Sequence, residues 1–382
     1  MVEANMIGAY GPWAAGLIGE GPARLSFRRE EFGDLQAWRT AARKRYREAL
    51  LQPPTGGVPQ ATVEHQWDYD GLTIEHLRWQ LPYGPPTEAY LLKPKGAKGR
   101  LPAVLGLHDH GGNKYFGKRK ITRVSDDVHP VMQAHQQQSY GGLAWANQLA
   151  KRGYVVLVHD TFTFGSRRVR VGNLPAAIKH DLLEEKAPES PAEIRQYNTF
   201  AGKHESIMAK SLFCAGTTWP GVFTAEDQRA LDVLCARDDV DADRVGCGGL
   251  SGGGLRTVYL GGLDPRIRVA VCVGMMTTWR DYLLHKAYTH TWMIYLPGLP
   301  PELDYPEILG LRAPLATLVL NNNQDPLFTL PEMQRADVML TEVFRKAGKP
   351  ERYQARFYDG PHKFNQPMQA DAFAWLDRWL KG

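Results

Sequence analysis

Between residues 30 and 50, Phe32, Leu35, Trp38, Ala42 and Tyr46 recur at helical spacing and run into the cationic stretch ARKRYREAL, so the pattern predicts an amphipathic helix. The period then changes. Segments 61–69, 73–80 and 87–93 alternate apolar with polar residues and are rich in Thr, Tyr and Trp, as the antiparallel start of a sheet would be. LPAVLGLHDHGG, from Leu101, is a continuous apolar run that stops abruptly in polar residues and glycines, the mark of a strand buried on both faces of a parallel sheet. Beyond it, helical patterns near 141–152, 224–237, 253–261, 331–347 and 367–381 alternate with strands at 154–160, 244–251, 267–274, 313–321 and 352–359. This alternation predicts an α/β protein with a doubly wound, mostly parallel sheet.

No repeat or low-complexity tract divides the chain, which reads as an N-terminal helical extension over 1–60 and one α/β domain over 61–382. Three stretches, 112–140, 161–223 and 275–312, are longer than βα connections need, and are expected as insertions that shape a site at one edge of the sheet. The third carries Trp279, Tyr282, Tyr288, Trp292 and Tyr295.

With 43% hydrophobic and 23% charged residues the chain has the makings of a packed core, not of a disordered segment. The net charge is +5, but 46 Lys and Arg are spread among 41 Asp and Glu, so no nucleic-acid partner is expected. KYFGKRK, from Lys114 to Lys120, and the cluster Arg167, Arg168 and Arg170 read as solvated loops. Cys214, Cys235, Cys247 and Cys272 lack CxxC spacing and paired histidines, which predicts buried, reduced side chains rather than disulfides or zinc ligands. No stretch approaches the ~18 apolar residues of a membrane span and the N-terminus lacks a signal-peptide pattern. A cytoplasmic location without membrane association is therefore expected, with a secreted mature form as the alternative.

Gly249-Leu250-Ser251-Gly252-Gly253 fits G-x-S-x-G between a predicted strand and a predicted helix, where a sharp turn presents a serine as nucleophile. Gly249 and Gly253 suit the close approach of strand and helix at such a turn. A phosphate-binding loop fits less well: GGLSGGG lacks the G-K-[ST] ending, and its place well into the sheet disfavours a dinucleotide fingerprint. A serine hydroxyl needs a base, and the base needs a group to orient it. Asp325 in VLNNNQDPLF and His362 in FYDGPHKF each follow a predicted strand, in the chain order Ser, Asp, His. Asp359 and Asp281 are the alternative acids. Oxyanion donors are expected at the Gly252 amide, which opens a helix, and in the loop His108-Asp109-His110-Gly111-Gly112. HDH without further ligand spacing does not make a metal site, and neither metal nor cofactor is expected.

HDHGG, GLSGG, NNNQDP and GPHKF together resemble the dienelactone-hydrolase-like and acetyl-xylan-esterase-like branch of the α/β-hydrolases, over residues 86–381. The resemblance implies the α/β-hydrolase fold, with an oxyanion amide from the residue after a histidine-glycine pair. Here His108 matches the histidine and Asp109 replaces the glycine, which leaves His110 as the donor and Gly111 as the alternative. The pattern His-x-Phe at His362 and Phe364 also fits the branch. Dienelactone hydrolases proper use cysteine at the elbow, so Ser251 points to the esterases among them. The expected activity is hydrolysis of a small-molecule or carbohydrate ester through an acyl-enzyme. Two readings compete with it. One is an aminopeptidase or amidase of the prolyl-oligopeptidase type, for whose propeller the roughly 100 residues before the core are too few. The other is a non-catalytic binding protein that keeps the fold.

Overall fold

In the computed structural model of the chain, which describes residues 4–179 and 189–382, β1 (Thr62–Tyr69), β2 (Leu72–Trp79) and β3 (Thr87–Pro94) form an antiparallel meander. The other strands are β4 (Leu101–Gly106), β5 (Val155–His159), β6 (Val240–Leu250), β7 (Ile267–Val273), β8 (Ala316–Asn322) and β9 (Tyr353–Tyr358). All belong to one sheet in the order β1-β2-β3-β5-β4-β6-β7-β8-β9, parallel from β5 to β9 and antiparallel from β1 to β5.

The continuous apolar runs are explained by layers on both sides of the sheet. Ala103 and Leu105 of β4 point into one core and Val104 into the other, and β5 divides Val155 and Leu157 from Val156 and Val158 in the same way. The helices, in chain order, are α1 (Gly11–Ile18), α2 (Leu35–Leu50), α3 (Pro130–Tyr140), α4 (Trp145–Lys151), α5 (Ala176–Lys179), α6 (Pro191–Cys214), α7 (Trp219–Cys235), α8 (Gly252–Leu263), α9 (Trp279–Asp281), α10 (Tyr305–Gly310), α11 (Leu330–Lys346) and α12 (Gln366–Leu380). Residues of α2, α7, α8, α10 and α11 fill the first core, and residues of α4 and α12 fill the second.

Asp34 starts α2 by accepting hydrogen bonds from the amides of Gln36 and Ala37. The apolar face of α2 buries Trp38, Ala42 and Tyr46, and the Tyr46 hydroxyl donates to the Tyr259 carbonyl of α8 at 3.0 Å. The first two long excursions pack on each other through Tyr115, Phe116, Met132, Val171, Ile194 and Tyr197. Residues 180–188 of the second excursion lie outside the described residues.

Three expectations need correction. Lys114, Lys118 and Lys120 of the basic run are buried, at 4%, 6% and 0% relative exposure, because acidic residues from distant segments meet the first two and the carbonyls of Asp109 and His110 meet the third. Lys114 pairs with Glu205, and Lys118 with Asp160 and Glu88. Arg167 is likewise buried, against Glu226. Cys247 and Cys272 lie inside the sheet, but Cys214 at the end of α6 is exposed and Cys235 partly so.

Candidate active site

The parallel strands all end on one edge of the sheet, and every candidate residue follows one of those ends. Ser251 lies between β6 and α8, with φ 57° and ψ −116°, a left-handed backbone that a non-glycine residue adopts only under constraint. The constraint is visible on both sides. Its amide donates to Val273 O at 2.9 Å, and its carbonyl accepts from the Leu255 amide at 2.8 Å. A Cβ at Gly249 or at Gly253 would stand 2.0 Å from the Leu107 carbonyl oxygen, so the loop after β4 reaches the elbow only because both are glycines.

Asp325 follows β8 and His362 follows β9. Asp325 Oδ2 meets His362 Nδ1 at 2.5 Å, and its Oδ1 accepts from the Leu327 amide at 3.0 Å. The Asp325 carboxylate is fully buried and the imidazole mostly so. A carboxylate at Nδ1 selects the tautomer with the proton there and leaves Nε2 as an acceptor. Nε2 is buried and has no hydrogen-bond partner among the described residues. The imidazole packs against Gly274 at the end of β7, where a Cβ would lie 2.9 Å from its Cε1 and 3.1 Å from Leu250, the neighbour of Ser251. The alternative acids are engaged elsewhere. Asp281 accepts from Thr277, from the Thr329 amide and from the Thr329 hydroxyl, and exposed Asp359 accepts from Asn323. His290 borders the pair: it donates to Leu327 O, and burial pulls its pKa down to about 4.

The loop after β4 lies over the start of α8. Gly252 is the first residue of that helix, where amides precede the intrahelical ladder and the dipole favours negative charge. A Cβ on Gly252 would stand 2.7 Å from the His110 nitrogen, so these two backbones are in contact. The His110 amide donates no hydrogen bond among the described residues. The His110 ring accepts from the Gly112 amide at Nδ1, at 3.1 Å, and donates from Nε2 to Glu205 of α6 at 2.9 Å. Burial holds its pKa low. His108 donates from Nδ1 to Asp109 O at 3.0 Å and is neutral, its pKa pushed well down by burial and by the charges of Arg256 and Lys120. Asp109 is buried and accepts from Tyr140 at 2.5 Å and His135 at 3.1 Å, both from α3. Gly111 has φ 51°, and a Cβ there would fall 2.3 Å from Asp109 Oδ2, so only glycine fits.

A narrow cleft opens beside the elbow, lined by His110, Phe162, Phe164, Phe223, Gly252 and Met293 among others. Of the aromatic residues in the third excursion, Trp279 and Tyr282 are core residues and Tyr295 is half-buried, whereas Tyr288 and Trp292 are exposed. No group of three or more His, Cys, Asp or Glu side chains is arranged to hold a metal ion among the described residues. Likewise, no helix among the described residues is long and apolar enough to cross a membrane.

Two buried cations beside the site, Lys114 and Lys120, were invisible to the reading of charge along the chain. The only signal in the sequence was their crowding immediately after HDHGG.

The sheet order, the strained serine between strand and helix, and the edge on which Asp325 and His362 pair define an α/β-hydrolase fold. Solved structures agree. A structure titled "putative acetyl xylan esterase" from Bacteroides fragilis NCTC 9343 superposes with TM-score 0.66 at 17% identity, over 94% of this chain and 84% of that one. A glucuronoyl esterase from Solibacter usitatus gives TM-score 0.62 at 16% identity, over 94% and 97%. In sequence, the chain is 27% identical over 310 residues to "Putative hydrolase YtaP" of Bacillus subtilis (strain 168), covering 80% of this chain and 88% of that protein. No family model matches the chain.

Proposed function

We propose that the protein is a serine hydrolase that cleaves carboxylic esters through an acyl-enzyme. Ser251 is the nucleophile, His362 the general base and Asp325 the acid that orients it. The observation that carries the reading is the 2.5 Å contact between His362 Nδ1 and Asp325, which leaves a buried Nε2, without a hydrogen-bond partner among the described residues, on the edge of the sheet where Ser251 is presented. As Ser251 Oγ bonds to the ester carbonyl carbon, Nε2 takes the hydroxyl proton and the carbonyl oxygen becomes an oxyanion. The Gly252 amide and the amide of His110, or of Gly111, receive that charge. When the carbon–oxygen bond to the alcohol breaks, the imidazolium gives its proton to the leaving oxygen. Water then repeats the sequence against the acyl-enzyme, releasing the acid and restoring Ser251.

The names of similar proteins, an acetyl xylan esterase and a glucuronoyl esterase, support carbohydrate esters as the substrate class. Exposed Tyr288 and Trp292 offer faces on which a sugar ring can stack. Acetate release from acetylated xylo-oligosaccharides, compared with p-nitrophenyl acetate, tests the reading. Wild-type protein should turn over both, whereas Ser251→Ala should lose roughly 10⁶-fold and Asp325→Asn roughly 10⁴-fold in kcat. Full activity in Ser251→Ala would remove the serine from the mechanism.

A further inference from the structure

Lys120 is the most deeply buried residue of the basic run, and its partners are carbonyl groups as much as a carboxylate. Its Nζ donates to Asp109 O at 2.7 Å and to His110 O at 2.8 Å, stands 3.7 Å from Asp109 Oδ2, and lies 4.7 Å from the centre of the Phe164 ring. Phe164 in turn packs edge-on against the rings of His108 and His110. The ammonium thus grips two consecutive peptide groups of the loop that lies over the elbow.

Peptide planarity converts that grip into a direction. In a trans peptide the C=O of one residue and the N–H of the next point opposite ways. The cis bonds among the described residues are Phe162–Thr163 and Ala313–Pro314, so the 109–110 and 110–111 peptides are trans. Holding Asp109 O therefore turns the His110 N–H away from Lys120, and the His110 nitrogen does face α8, as its closeness to Gly252 shows. Holding His110 O does the same for the Gly111 N–H. Both candidate donors are thus oriented by one cation, whichever of them the oxyanion uses. His108 Nδ1 adds a second donor on Asp109 O; burial works against the Asp109 carboxylate, but the charges of His135 and Lys120 and the bonds from His135 and Tyr140 hold its pKa well below the usual range.

We propose that Lys120 is a positioning residue for the oxyanion hole, fixing the amides of His110 and Gly111 through the carbonyls behind them. This rests on the ester-hydrolase reading above and touches neither substrate nor reacting atoms. It predicts a loss confined to the transition state, because the ester binds in its ground state without a charged oxygen.

The test is Lys120→Met, with Lys120→Gln as the milder variant that keeps one donor. Active sites are first counted by complete labelling with a fluorophosphonate, so that kcat is expressed per competent Ser251. Lys120→Met should lose roughly 10- to 100-fold in per-site kcat at unchanged KM, with Lys120→Gln in between. Affinity for a trifluoromethyl ketone, whose adduct carries the oxyanion, should fall by the same factor. A residue needed only for folding would reduce the count of labelled sites and leave per-site kcat alone, and that result overturns the proposal. If neither variant folds, a crystal structure of the wild-type phosphonyl adduct decides. The phosphonyl oxygen on the His110 or Gly111 amide, with Lys120 still on both carbonyls, supports the clamp, and an oxygen touching neither amide overturns it. Wild-type protein that takes up no fluorophosphonate and cleaves no ester sinks the hydrolase reading together with the clamp, whereas labelled variants with wild-type per-site kcat sink the clamp alone.

Discussion

The left-handed backbone of Ser251 makes the proposed nucleophile a store of strain, and two inactive variants can measure it. A non-glycine residue at φ 57° and ψ −116° costs about 1–3 kcal/mol, and Ala at that position keeps the cost while Gly removes it. Gly also loosens the unfolded chain by about 0.4–1 kcal/mol, which offsets part of the relief. Ser251→Gly should therefore be more stable than Ser251→Ala by about 0.5–2 kcal/mol. At about 2.1 cal/mol/K per residue, the 382 residues unfold with an entropy near 0.8 kcal/mol/K, so the melting temperatures should differ by roughly 0.6–2.5 °C. Because both variants lack the hydroxyl, any hydrogen bond it makes cancels from the comparison. Calorimetry, backed by urea titration monitored by circular dichroism, reads the difference, and neither variant should hydrolyse ester. Equal stability of the two, or a more stable Ala variant, would mean that the elbow holds no strain that glycine can release.

Stability should fall as pH drops below neutrality. Burial lowers the pKa of His290 to about 4, so between about pH 6.5 and 4 the unfolded chain binds a proton that the native state refuses, a linkage of up to about 3 kcal/mol. Two carboxylates, Asp239 and Asp227, add to it with the same sign. Burial works against Asp239 and Asp227, but hydrogen bonds from Arg237 and Lys93 to the first, and the charge of Arg256 beside the second, hold both below the usual range; their contribution is present above about pH 4 and lost below it. A urea midpoint that stays level from pH 7 to pH 4 would contradict this. At the buried Arg167–Glu226 pair, Arg167→Met should cost about 3–5 kcal/mol by stranding Glu226. Arg167→Met combined with Glu226→Leu should be less damaging than the sum of the single changes, with a coupling of about 1–3 kcal/mol in a double-mutant cycle; strict additivity would argue against a coupled pair.

What could be read along the chain was whatever depends on neighbours in sequence. Strand β4 announced itself because both of its faces are buried, so Ala103, Val104 and Leu105 carry no polar interruption. The elbow was legible because close approach to Leu107 demands glycine at 249 and 253, and Asp325 and His362 because parallel strands deliver their C-terminal loops to one edge. Helix α6 was not separately legible within the second excursion. Its 24 residues mix polar and apolar positions with little preferred face, and what it supplies to the site is Glu205, beneath His110 and Lys114. The tertiary structure alone decided the fate of the basic run, since a lysine reads as a surface residue until an acid or a pair of carbonyls from elsewhere in the fold meets it. Asp109 lies 11 residues before Lys120, Glu205 lies 91 residues after Lys114, and Asp160 lies 42 residues after Lys118. Hydrophobic period and turn chemistry are local properties that a sequence displays directly, whereas the desolvation of a charge and the partner that compensates it exist only once the chain has closed upon itself.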